Sequence, residues 1–269
     1  MPGTTGADKA RRKYCSPRRE EQARRTRQRI IAAARDSFLR SGYTTTTMRE
    51  IAAAAGVAVQ TVELAFGTKR ALLKAAIDVA IAGDDLPIPV LQRDSAKAAQ
   101  SVTEVQALLE IVGHLVRTVA ERVAALFVVV DQAAAADPEI AALARELDAQ
   151  RATTAAWIVQ GVTARAPLRA DLSHSTAVDT IWLLMDPAVF RRLTCDRGWS
   201  VDDFQHWFTS SIQRLLLRPA EPHQRKQPPE RLAVTPSNSA DYEPLIACRS
   251  SHRRWRRRPL ESRTGAMHS

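Results

Sequence analysis

The chain has 269 residues with a formal net charge of +10, 45% hydrophobic and only 5% aromatic residues, and three cysteines. That length suffices for two helical cores, and so few cysteines exclude a disulfide scaffold. The charge sits at the ends: residues 1–29 hold ten Lys and Arg against three acids, residues 219–269 ten against five, and the body between is close to neutral. A polyanionic partner is expected at an end rather than over the whole surface.

In chain order, an arginine-rich arm, Arg11, Arg12, Lys13, Arg18, Arg19, Arg24, Arg25, Arg27 and Arg29, runs into a first helix expected from Thr26. There Ile30, Ala34 and Phe38 share a face, and Gly42 ends the helix. Thr47 followed by Glu50 is a capping box that opens a second helix with a small apolar face at Ile51, Ala52 and Ala55. Gly56 supplies the left-handed turn and Val57 seals the corner. A third helix follows from Ala58, with Val62 and Phe66 inward and Gln60, Thr61 and Glu63 toward solvent. Thr68 then caps a fourth, striped by Leu72, Leu73, Ala76, Ile77, Ala80 and Ile81. Two short helices crossing at a glycine, flanked by two longer ones, read as a DNA-binding helix-turn-helix module or, on spacing alone, as a pair within a helical bundle.

The ordered elements T-x-x-x-I-x-x-A-A, F-x-x-x-G-Y, T-T-M-x-x-I-A-x-x-A-G-V and A-F-G-T-K-x-x-L, from Thr26 to Leu73, closely resemble the N-terminal domain of TetR-type transcriptional regulators. The resemblance implies that the third helix enters the major groove of duplex DNA, with Ala58, Val59, Gln60 and Thr61 near base edges and Gln60 the leading specificity residue. It also implies that Thr46 or Thr47, with Met48 beside them, and Lys69 hold phosphates; from its charge and position, the arm with Arg27 is expected to follow phosphates or a minor groove. Two positions depart from the family pattern. Glu63 and Ala65 stand where a tyrosine and then a histidine or similar residue are common. A carboxylate at Glu63 repels phosphate, accepts from a cytosine amino group, or bridges to Arg49 or Lys69 within the protein.

Beyond a linker containing Asp84, Asp85, Pro87 and Pro89, Val102 to Val119 and Val123 to Val130 mark a long amphipathic stretch, with a break expected between Gly113 and Glu121. Asp137-Pro138 opens a helix reaching about Ala164, Ser173 opens another, and Asp186-Pro187 starts a short one closing near Gly198. Ser200 with Asp203 caps the last, whose face is Phe204, Trp207, Phe208, Ile212, Leu215 and Leu216, and Arg218-Pro219 stops it. No segment alternates like a strand. The expected fold class is all-α: a helix-turn-helix DNA-binding domain followed by a helical ligand-binding and dimerisation domain.

The division read from the chain is a basic disordered arm over 1–22, the DNA-binding domain over 23–83 with its recognition motif at 46–66, the helical effector and dimerisation domain over 84–218, and a disordered basic tail over 219–269. The resemblance implies a homodimer through 173–185 and 200–217, bound to a palindromic operator, and released by an unidentified small molecule. His114, Phe127, Trp157, Trp182 and Met185 are the candidate pocket lining, with His114 expected in the core.

No H-E-x-x-H, Walker loop, dinucleotide fingerprint or G-x-S-x-G motif occurs, so no enzyme, catalytic residue, cofactor or metal is expected. Cys15, Cys195 and Cys248 lack metal-site spacing. The rival readings are a protein-interaction module whose helix-turn-helix binds DNA weakly, and a thiol redox sensor acting through Cys195. Met1 leads into a polar arm, and no apolar run spans a bilayer, so a cytoplasmic protein without membrane contact is expected.

Overall fold

The computed structural model describes residues 17–218, which form ten α-helices and, among the described residues, no strand. The helices are α1 (Pro17–Thr45), α2 (Met48–Ala55), α3 (Val59–Phe66), α4 (Lys69–Ala82), α5 (Asp94–Ser101), α6 (Val105–Ala134), α7 (Pro138–Thr163), α8 (His174–Leu184), α9 (Pro187–Arg191) and α10 (Val201–Leu216). A single 3-10 turn, Val90–Gln92, precedes α5, and a π turn, Arg192–Asp196, follows α9. The all-α reading holds. The tail at 219–269, Cys15, Cys248 and the arm up to residue 16 lie outside the described residues.

The helix starts follow the caps read from the chain. Asp137 accepts from the Glu139 and Ile140 amides, Ser173 from Thr176, and Ser200 and Asp203 close a reciprocal capping box. Three features differ from expectation. Helix α1 begins at Pro17 rather than Thr26, so residues 17–22, expected in the arm, are helical. Glu21 supports that turn by pairing with Arg24 at 2.8 Å and Arg25 at 2.7 Å, one helical turn away. Helix α5 falls in a region expected to be linker. It buries only Ala96 and Ala99, an apolar signal too weak for a stripe, and the Arg165 guanidinium closes its end by donating to Gln100 O at 2.9 Å and Val102 O at 2.7 Å.

The third difference is α6, which runs unbroken through Gly113–Glu121. Gly113 lies in close helix contact instead of interrupting the helix. A Cβ there would meet Thr209 Cγ2 at 2.5 Å and Gln205 Cγ at 3.3 Å, so the missing side chain is what lets α10 lie against α6.

Helix α6 also joins two cores. Its C-terminal half, Val123, Leu126, Val129, Val130 and Ala133, packs with α1, α2, α3 and α4 and with Ile140, Leu143 and Leu147 of α7. Its N-terminal half packs Leu108, Leu109, Val112 and Val116 with Ile158, Val159 and Val162 of α7, Ile181 of α8, Phe190 of α9 and Phe204, Phe208 and Ile212 of α10. The first core therefore crosses the boundary expected at Gly83. The helix-turn-helix module completes its interior with side chains from the helices that follow it.

Candidate nucleic-acid interface

The module is built from local chemistry upward. Thr47 Oγ1 accepts from the Glu50 amide at 3.2 Å, and the Glu50 carboxylate accepts from the Thr47 amide at 2.8 Å, which starts α2. Ile51, Ala52 and Ala55 bury its inner face. Gly56 adopts φ 64, ψ 42, the left-handed conformation that any β-carbon would disfavour, and Val57 N returns to Ala52 O at 3.0 Å. Helix α3 then leaves with Ala58 at its N-cap, which offers no capping side chain. Val62 is fully buried, while Val59 and Phe66 pack on the first core.

Opposite that face stand Gln60, Thr61, Glu63, Leu64 and Ala65, all exposed. Gln60 and Thr61 thus lie where a base-reading helix needs them. Leu64 was not among the expected residues. It is 91% exposed, the most open large apolar side chain described, although it falls four residues after Gln60 on the same face and helical spacing marks the position as outward.

Two expected phosphate ligands are turned inward. Thr46 is only 1% exposed, and its hydroxyl donates to Gly42 O at 2.6 Å and Ser37 O at 3.2 Å, so it ties α2 to the end of α1 and has no free oxygen at the surface. The Lys69 ammonium donates to Tyr43 O at 2.9 Å and Thr46 O at 3.0 Å and lies 4.2 Å from the centre of the Tyr43 ring. Partial burial lowers its pKa. Lys69 therefore caps carbonyls at the end of α1 and in the turn that follows it. Met48 packs half-buried on the first core. Thr47 and Arg27 remain at the surface, the Arg27 guanidinium 4.5 Å from the Phe66 ring, where it flanks α3. Glu63 is exposed and forms no ion pair among the described residues, so the internal bridge to Arg49 or Lys69 does not occur, Lys69 being engaged by the Tyr43 and Thr46 carbonyls.

The expected pocket residues do not converge. Phe127 and Trp182 line one cavity of about 380 Å³ between α6, α7, α8 and α9, together with Asp131, Asp148, Arg151 and Asp186. Arg151, 9% exposed, pairs with Asp148 at 2.9 Å and Asp186 at 3.1 Å and lies 4.4 Å from the Trp182 ring centre. Its Nε is buried without a partner. Asp131, exposed but also in this lining, has its pKa raised by desolvation and then by repulsion from Asp186 and Asp148. Trp157 lines a separate cavity of about 190 Å³ with Ala99, Leu108, Gly161 and Arg165. Met185 packs against the second core, and His114 is exposed rather than buried because α6 turns Val112, Gly113 and Val116 inward. Among the described residues no group of His, Cys, Asp and Glu is placed to hold a metal ion, and no helix is long and apolar enough to cross a membrane.

Among the described residues, an all-helical body with a solvent-facing second helix in a tight helix-turn-helix has the architecture of DNA-binding helix-turn-helix proteins. Residues 30–76 match the family model of bacterial regulatory proteins, tetR family, and this segment is a TetR-type DNA-binding domain. No curated protein matches the chain.

Solved structures share the fold. NalD, the secondary repressor of the MexAB-OprM multidrug efflux pump in Pseudomonas aeruginosa, is 19% identical with a TM-score of 0.57, over 74% of this chain and 100% of that one. A protein from Saccharomonospora viridis described as a transcriptional regulator, solved in complex with choline, is 18% identical with a TM-score of 0.54, over 72% and 98%. The fatty acid degradation regulator FadR from Bacillus halodurans is 18% identical with a TM-score of 0.52, over 70% and 94%. At these identities the likeness concerns the fold.

Proposed function

We propose that the chain is a homodimeric, ligand-responsive repressor that binds a palindromic operator through α3 and leaves it when a small molecule occupies the helical domain. The outward face of α3, with Gln60 and Thr61 exposed, carries the reading. Residues 23–83 serve as the DNA-binding domain and 84–218 as the effector and dimerisation domain. Ala58, Gln60 and Thr61 approach base edges, while Val59, packed on the first core, does not, and Thr47 and Arg27 approach phosphates.

Dimerisation through α8 and α10 is supported by two apolar side chains left outward on those helices, Leu183 at 56% and Leu215 at 46% exposure. The cavity beside Phe127 and Trp182 supports an effector site, because its walls come from α6 and α7, helices that also complete the core beneath the DNA-binding module. An effector that favours badly spaced recognition helices weakens DNA binding by the factor that DNA weakens its own. The protein acts in the cytoplasm, without catalysis.

Selection of bound fragments from random duplex DNA by the full chain tests the proposal. Enrichment of an inverted repeat with half-site centres about one helical turn apart, roughly 34–36 Å, or a multiple of it, is expected. Retention without any enriched sequence, or of a single unrepeated half-site by a monomeric protein, contradicts it.

A further inference from the structure

We propose that Leu64 is a specificity residue that reads thymine, seating its side chain against C5-methyl groups in the major groove; this rests on the reading of α3 as the recognition helix. At 100° per residue, Val59, Val62 and Phe66 define the buried side of α3, and Leu64 falls almost diametrically opposite, with Gln60 and Thr61 flanking it. Its 91% exposure compares with 56% for Leu183, the next most exposed large apolar side chain described, and 38% for Leu39, the other one in α1 to α4.

A leucine so placed keeps nearly all its apolar surface in water in the free protein, and that surface gains by contact with any apolar partner. On the major-groove edge of duplex DNA the thymine C5-methyl is the apolar group; every other feature there is a hydrogen-bond donor or acceptor that Leu64 cannot satisfy. Gln60, one turn earlier on the same face, has the paired donor and acceptor that suit adenine. Together the two residues favour an A·T-containing step at the centre of each half-site. Glu63 lies to one side of this axis, so its charge bears on the flank of the contact and leaves the methyl contact itself apolar.

The experiment uses the full chain and the duplex it selects. Each thymine is replaced singly by deoxyuridine, which removes the C5-methyl and leaves base pairing intact. Wild-type affinity is expected to fall about fourfold for each methyl seated, at one or two positions per half-site. Leu64→Ala is expected to bind the thymine duplex correspondingly more weakly, to be indifferent to deoxyuridine there, and to keep wild-type circular dichroism, since Leu64 supports no core.

A selected half-site without thymine, wild-type indifference to every deoxyuridine, or undiminished discrimination by Leu64→Ala overturns the proposal while the DNA-reading function stands. If no sequence is selected, that function fails and the proposal falls with it.

Discussion

Arg70 on α4 reaches Glu146 on α7 at 3.2 Å, and the same carboxylate receives Lys74 at 3.4 Å. Arg70 also donates to Glu139 O at 3.2 Å, so the helix that carries the DNA-binding module is held to α7 by charge as well as by the shared apolar core. The pair is part-exposed, and solvent screening limits its worth to about 0.5–1 kcal/mol. Glu146→Gln is expected to lower Tm by about 1–4 °C, and a double-mutant cycle with Arg70→Met to return a favourable coupling energy. Strict additivity in that cycle would remove the charged link.

Gly113 tests the α6–α10 contact. Gly113→Ala gains about 1 kcal/mol of helix propensity but forces a methyl against Thr209 Cγ2, an overpacking cost of about 1–3 kcal/mol. A net loss in thermal stability is expected. Thr209→Ser, which removes that γ-carbon and keeps the hydroxyl that donates to Gln205 O, is expected to restore it in the double variant. Gly113→Ala at wild-type stability or above would mean that α10 does not lie this close.

Asp131 predicts a pH dependence. Its folded-state pKa lies above the ordinary value of 3.8, because burial and then Asp186 and Asp148 disfavour the anion. The folded state therefore binds the proton more tightly than the unfolded chain, and stability falls as pH rises from 3.8 through the folded pKa. The ionised carboxylate is a liability at neutral pH. Asp131→Asn is expected to raise Tm at pH 7, on the order of 1 °C for a partly solvated group, with the difference vanishing below about pH 3.5. A lower Tm for the variant at pH 7 would contradict this assignment.

Glu63 faces outward with no ion pair among the described residues, close to where phosphates are expected. Glu63→Tyr removes one repulsive charge and adds a hydroxyl donor. Non-specific duplex affinity at fixed salt is expected to rise about three- to tenfold, with a steeper salt dependence. No gain in a fluorescence anisotropy titration would mean that Glu63 stays clear of the backbone.

The caps were the most legible part of the chain. Thr47 with Glu50, Asp137-Pro138, Ser173 and Ser200 with Asp203 each satisfy specific amides through local chemistry that needs no tertiary context. Tertiary use was harder to read. Gly113 looks like a helix breaker in isolation and is a close-packing site only because α10 crosses there. Thr46 and Lys69 have the chemistry of phosphate ligands, yet the turn after α1 leaves carbonyls that claim both.

The pocket was the least legible feature, since Phe127 and Trp182 share a cavity while Trp157, Met185 and His114 go elsewhere. An aromatic or imidazole on a helix carries no sign of which neighbour it will meet. Leu64 was missed for the opposite reason: it is apolar, and only its place on the helical wheel shows that it faces out.

Quantitative footprinting of the full chain on its selected operator, alongside a duplex with one half-site scrambled, tests the central claim most directly. Protection of two major-groove segments on the intact site is expected, with cooperative loss of at least tenfold in affinity when one half is scrambled, and loss of sequence preference in Gln60→Ala. Equal affinity for intact and scrambled duplexes, or unchanged preference in Gln60→Ala, would contradict a dimer that reads DNA through α3.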